Sequence, residues 1–340
     1  MSAKSHALFI TLNLLVLSSL TAQAQAQVEL YGSIDTALAQ SRVSNESSTN
    51  GLLSGGQANS YWGLIGTEKL GEGLSAIFQL ESGFDAVTGR SEEDESFFNY
   101  AAKLGLQHEA LGSLYLGRQN PLSQEFNAEL ELAGWKDFGM GALLRNSDDY
   151  QQNKAIQYSS PEWAGLQLGM GYKSKDDDSS AINTALRYEA DKLYAALSYD
   201  QHKRAKAWQL GAKYDFDVFT LAAAWGRQKN GFVGDNGFDA NEFIRGGRID
   251  SWYVGASLPI ATNGELIAQW SLAKPNWYWQ ESDQKAKKAQ VYSIGYIHDL
   301  STRTQLYAFG AYGKNYSPDD MLSAENPNSR RTAIGITHRF

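Results

Sequence analysis

Along most of this chain, apolar and polar or small side chains alternate one for one in short segments. In residues 165–173, Leu166, Leu168, Met170 and Tyr172 oppose Gln167, Gly169, Gly171 and Lys173. In 207–214, Trp208, Leu210, Ala212 and Tyr214 oppose Gln209, Gly211 and Lys213; in 251–258, Trp252, Val254, Ala256 and Leu258 oppose Ser251, Tyr253, Gly255 and Ser257. Successive side chains of a strand point to opposite faces, so each segment is a two-faced β-strand. A sandwich would bury the apolar face in a core; a membrane barrel would turn it to lipid and keep the polar face in a water-filled lumen. Aromatic residues close many apolar faces (Tyr172, Tyr199, Trp208, Tyr214, Trp252, Trp270), as suits a lipid headgroup layer. Short turns at 67–73, 108–112, 161–165, 189–192, 215–217, 259–264 and 300–304 alternate with long polar connections, the longest being 119–145. That alternation is the pattern of a transmembrane barrel.

Sixteen strands can be drawn, the first near 28–39 and the last near 329–340, with short extra pieces possible at 241–244 and 277–280. The expected fold is all-β: a 16-stranded antiparallel transmembrane β-barrel. Closure requires the last strand to pair with the first and leave no free edge. The chain ends in mid-alternation on Phe340, which this reading places at an aromatic girdle. At the other end, Lys4, an apolar run over 7–20 and small residues at Ala22, Ala24 and Ala26 have the layout of a secretory signal peptide. Two regions are therefore expected: a signal peptide, 1–26, and a barrel, 27–340. Gly (32), Tyr (18) and Trp (9) are abundant and Pro (6) is scarce, a composition for strands and tight turns.

The formal charge of −8 argues against nucleic acid as a partner, which needs a basic face. The absence of cysteine excludes disulfides, thiol catalysis and Cys-based metal sites. His108, His202, His298 and His338 are scattered and form no metal-spaced pair or local Ser–His signature, so no enzyme and no cofactor is expected. The run 176–180 could hold a cation but reads more simply as a solvated loop.

The stretches "VELYGSID", "YWGLIGTEKLGEGLSAIFQLE", "LGSLYLGRQ", "IQYSSPEWAGLQLGMGY", "LSTRTQLYA" and "GITHRF" occur in this order along the whole chain after residue 27. In them the sequence resembles the Gram-negative general porins, in the branch typified by neisserial and burkholderial trimeric porins. The resemblance implies an outer-membrane homotrimer for passive diffusion of small hydrophilic solutes and ions. It implies a setting of outer-membrane lipid and lipopolysaccharide, and a terminal Phe340 read by the barrel-assembly machinery. It also implies that the third long loop, 119–145, folds into the barrel and constricts it; a long structureless connection is usually functional.

That loop carries Glu125, Glu129, Glu131 and Asp137 against Lys136 and Arg145. On the wall, Arg118 matches the family's strand-end arginine, with Arg145, Lys154 or Arg187 as helpers. Arg118 shares parity with Leu114 and Leu116, so only a bulge at Gly117 would re-aim it inward. Where the family often has arginine, this chain has Tyr61 and Gln157. The acids outnumber the remaining bases, and a ring of carboxylates enriches cations; weak cation preference follows. The alternatives are a substrate-specific channel, for example for oligosaccharides, supported by the aromatic run "PNWYWQE" at 275–281, and a plugged structural barrel.

Overall fold

The computed structural model describes residues 27–93, 96–144, 151–174, 180–230, 243–245, 247–280, 282–318 and 322–340. The expected signal peptide, Arg145 and the acidic run 176–178 lie outside the described residues. Sixteen strands form the wall: β1 (Gln27–Val43), β2 (Tyr61–Gly71), β3 (Leu74–Gly83), β4 (Ala101–His108), β5 (Gly112–Gln119), β6 (Gln152–Ser159), β7 (Leu166–Lys173) and β8 (Ala181–Ala190) make the first half. The second half is β9 (Leu193–His202), β10 (Ala205–Asp215), β11 (Thr220–Lys229), β12 (Arg248–Ile260), β13 (Gly264–Pro275), β14 (Ala289–Asp299), β15 (Thr304–Lys314) and β16 (Ser329–Arg339). Each pairs antiparallel with its chain neighbours, and β16 closes the barrel on β1 from Ser33↔Arg339 to Val43↔Ser329. Phe340 extends the seam: its N–H donates to the Gly32 carbonyl (3.1 Å) and the Gly32 N–H donates to its carbonyl (3.2 Å).

The faces sort as alternation demands. Leu38, Leu104, Leu116, Met170, Leu210 and Ile334 are exposed on the outer face, whereas Asp35, Asn183, Gln209, Ser251, Gln269 and Thr337 are buried inside. An outer belt of leucines is unfavourable in water by about 25 cal/mol per Å², but it matches a bilayer, which a closed ladder crosses with every backbone group paired. Phe216 and Phe219 stack at 4.8 Å beside a short turn, and Tyr199 and Trp208 meet at 4.4 Å near the other rim, flanking the apolar belt.

Three short strands lie outside the sixteen. Thr49–Ser54 folds back along the upper half of β1, from Thr36↔Ser54 to Ser41↔Thr49, while β2 takes the lower half. Its sequence, with Leu52 and Leu53 adjacent, does not alternate, so it reads as part of a long connection. Phe243–Arg245 and Tyr278–Trp279 pair with each other as a separate ribbon rather than adding to the wall.

Candidate pore constriction

The connection after β5 turns into the barrel. Pro121 ends the extended entry, and a seven-residue helix, α1 (Leu122–Ala128), packs inside β7, β8 and β9. Its polar groups find wall partners: Asn127 Nδ2 donates to Ser198 Oγ (2.7 Å), the Leu122 N–H donates to Asn183 Oδ1 (3.2 Å), and Tyr194 Oη donates to the Phe126 carbonyl (2.7 Å). Farther on, Gln269 Nε2 donates to the Ala133 carbonyl (2.8 Å) and Tyr253 Oη donates to Gln269 Oε1 (2.6 Å). These bonds satisfy loop backbone that would otherwise be costly to bury.

Glycines on the inner face receive the loop's apolar side chains. A Cβ on Gly169 would stand 2.9 Å from Leu122 Cδ1, one on Gly211 2.4 Å from Leu130 Cδ1, and one on Gly295 2.7 Å from Trp135 Cζ2. Leu122, Leu130 and Trp135 are thereby buried, each burial contributing roughly 1.5–3 kcal/mol. The dry core is thus the seam between the loop and the inner wall of β7–β16 and upper β1, where Phe126 and Met140 cluster with Ala196 and Ala222, and Trp135 with Tyr307, Phe309 and Ala37.

Because the loop adheres to β7–β16 and, at its far end, to the segment folded along upper β1, the open passage lies between it and lower β1 with β2–β5. That wall is phenolic. Tyr31 and Tyr61 meet edge to face at 6.2 Å, and Tyr61 and Tyr100 lie 6.3 Å apart. Tyr31 Oη donates to Glu81 Oε1 (2.7 Å) and accepts from Gln79 Nε2 (2.7 Å). Lys103 Nζ sits 5.0 Å from the Tyr115 ring centre, a cation–π contact. Across the gap, Glu125 is exposed on α1, and Glu129 is exposed beside Lys213, whose ammonium donates to the Glu129 carbonyl (2.5 Å). Confinement between protein walls pushes the Glu125 carboxyl above its usual range. Lys103 and Arg187 oppose that shift and Glu81 adds to it.

The four loop acids therefore divide. Glu125 and Glu129 face lumen water. Glu131 turns back into its own loop and accepts the Met140 N–H, pressed so close to Gly139 that no side chain would fit there. Asp137 is held by Arg331, whose Nη1 lies 2.8 Å from Asp137 Oδ2. Tyr61 stands on the passage wall, but Gln157 is buried beneath the loop's entry, where Nε2 donates to the Asn120 carbonyl (2.6 Å).

Arg118 is placed apart from these groups. The register does shift at Gly117, but the extra residue lies on the facing strand: Gly117↔Ala155 is followed by Gln119↔Gln152. Gln119 and Gln152 are buried on the lumen side, so Arg118 keeps the parity of Leu114 and Leu116. Its guanidinium bonds to the Asn99 carbonyl (2.6 Å), Asn153 Oδ1 (2.8 Å) and Glu93 (3.4 Å). Lys154 is exposed at that irregularity, with φ +53°, and contacts no loop acid. Among the described residues the cations on the lumen face include Lys103, Arg187, Lys213, Arg331 and Arg339, the last acting on Tyr61. Sequence reading named only Arg187 among them, although Lys103, Lys213 and Arg331 share parity with Gly105, Gly211 and Ala333 on the polar faces of their strands. Trp277 and Trp279 of the 275–281 run are buried and packed edge to face at 5.6 Å, not offered as stacking platforms.

Comparison with known proteins agrees with this geometry. The family model described as Gram-negative porin matches residues 11–317. An outer membrane porin protein of Bordetella pertussis is 33% identical, over 94% of this chain and 96% of its own length. Among solved structures, an anion-selective porin from Comamonas acidovorans superposes with a TM-score of 0.73 at 26% identity, covering 93% of this chain and 100% of its own. OmpT, an outer membrane protein of Vibrio cholerae solved in a trimer form, shares the fold with a TM-score of 0.63 at 12% identity, over 93% of this chain and 99% of its own.

Proposed function

Because the chain belongs to the Gram-negative porin family, and is a passive diffusion channel of the outer membrane rather than an enzyme, we propose that it sorts solutes in the gap between its inward loop and the tyrosine-lined wall of lower β1 and β2–β5. The observation that carries this reading is the anchoring of residues 122–144 away from β2–β5, which leaves Glu125 and Glu129 of the loop acids exposed to the passage. A pore selects by radius and by the charges on its narrowest ring. Here Glu81, Glu125 and Glu129 are offset by Lys103, Arg187 and Lys213. The weak cation preference expected from four acids is thus reduced to near balance. Ions of both signs pass at pH 7 with a permeability ratio near unity, and the balance tips toward anions when Glu125 is neutral. The anion selectivity of the relative from Comamonas acidovorans fits a scaffold that needs few charge changes to move either way. A reversal potential across a salt gradient tests this. A strong preference for either sign at pH 7 would show that other charges govern the gap.

We further propose that the channel is a homotrimer in contact with lipopolysaccharide, exported by removal of residues 1–26 and inserted through recognition of Phe340 by the barrel-assembly machinery. The trimer form of the Vibrio cholerae neighbour supports the first of these. Chemical cross-linking of the native membrane should then yield a ladder ending at three chains.

A further inference from the structure

Asp35 is a carboxylate in the middle of β1, on its inner face and fully buried. No lysine or arginine pairs with it among the described residues. Burying an isolated charge costs several kcal/mol unless hydrogen bonds replace its water. Five donors do so. Oδ1 accepts from the Gly56 N–H (2.8 Å) and Tyr307 Oη (2.6 Å); Oδ2 accepts from the Gln57 and Ala58 N–H groups (3.1 Å each) and Thr337 Oγ1 (2.6 Å). The three consecutive N–H groups form an anion-binding concavity of the kind successive backbone amides can make. They belong to 55–58, the segment between Thr49–Ser54 and β2; Tyr307 lies on β15 and Thr337 on β16.

What the carboxylate holds touches the constriction. A Cβ on Gly134 would stand 2.8 Å from the Gln57 carbonyl oxygen, and one on Gly55 would stand 3.4 Å from Lys136 Nζ. The Tyr307 ring lies 6.3 Å from the Trp135 indole. Both the segment and the tyrosine thus abut residues 134–136, the far end of the inward loop.

We propose that Asp35 is a positioning residue for the constriction: through 55–58 and Tyr307 it fixes where the far end of the loop rests, and so the width of the passage. This rests on the constriction reading above. The carboxylate joins the barrel's closing strands to its inward loop without itself lining the passage.

The test uses the full-length protein in planar bilayers. Asp35→Asn keeps the side chain's shape but turns an N–H donor toward groups that are themselves donors. The variant should still fold as a heat-modifiable barrel, yet its open-channel current noise should rise several-fold. The chain has no cysteine, so Ala58→Cys is a clean probe. A hydrophilic maleimide should label it about tenfold faster in the Asp35→Asn background than alone, the scale set by losing a charge-assisted hydrogen bond. If Asp35→Asn only lowers the melting temperature, with noise and labelling at control values, Asp35 is structural alone and the inference fails. Should Asp35→Asn not fold, Tyr307→Phe and Thr337→Val each remove one donor and keep the carboxylate; both should be noisier than wild type, and two quiet variants would overturn the inference. A wild type that carries no current would overturn the constriction reading itself, whereas a conducting wild type with a quiet Asp35→Asn overturns only this proposal.

Discussion

Trp135 of the inward loop occupies the space that a side chain at Gly295 on β14 would fill: its Cζ2 lies 2.7 Å from the position of the missing Cβ, and its indole stacks on Phe309 at 5.1 Å. The loop's far half is seated by this absence of a methyl group. Gly295→Leu should unseat Trp135 at a cost of roughly 1–3 kcal/mol and raise single-channel conductance. Gly310→Ala, on the outer face where a Cβ would meet only Thr332 Cγ2 at 3.9 Å, should leave conductance unchanged. Equal conductance in Gly295→Leu and wild type would mean that the loop is held elsewhere.

Much of this arrangement is legible in the sequence. Alternation puts Leu166, Leu168, Met170 and Leu210 on the lipid-facing side, where they are exposed, and loop length singles out 119–145. What escaped depends on contacts distant in sequence. Arg118 keeps the outward parity that alternation gives it; what no local pattern in "LYLGRQ" reports is that the extra residue sits in the facing strand, near Lys154. Glu131 is drawn off by a backbone N–H nine residues later, and Asp137 by Arg331 at the other end of the chain. The glycines at 169, 211 and 295 read as small members of a polar face; only the folded loop gives them their use.

The division among the loop acids predicts opposite phenotypes two residues apart. Glu129→Gln should shift the reversal potential toward anions and leave thermal stability near wild type. Glu131→Gln should barely move the reversal potential but destabilise the loop by about 1 kcal/mol, since a half-buried charged acceptor of a backbone N–H is weakened. Calorimetry and bilayer recording on the two variants separate these outcomes; identical behaviour would contradict the placement of Glu131.

Acid should act first through Glu125. Confinement raises its pKa above the usual carboxylate range near 4.3. Since the charged form is the deprotonated one, its negative charge is present at neutral pH and lost as pH falls through that raised value. Reversal potentials recorded between pH 7 and pH 4 should drift toward anion preference, and Glu125→Gln should start nearer that end and drift less. Lys103→Met should displace the whole curve toward cations. A pH-independent wild type would remove Glu125 from the ring of charges that matters.

At the seam, the Phe340 ring covers Gly32, where a Cβ would stand 2.7 Å from Cζ. A chain ending at Arg339 loses this cover and both backbone hydrogen bonds between the two residues. Outer-membrane levels should fall, while the channels that do insert should conduct as wild type, because the ring packs over Gly32 on the outward parity of Leu30 and Ile34, away from the lumen face. Normal surface levels of the truncated chain would remove Phe340 from the account of assembly.

The most direct measurement is single-channel conductance of the wild-type protein across a range of KCl concentrations. A water-filled passage with near-balanced charge should open in discrete steps whose size grows in proportion to salt and is indifferent to added sugars, as charge effects are screened within about 3 Å at 1 M salt. Conductance that saturates with salt, or falls when oligosaccharide is added, would mean that solutes bind a dedicated site in the lumen, contradicting a passive diffusion channel.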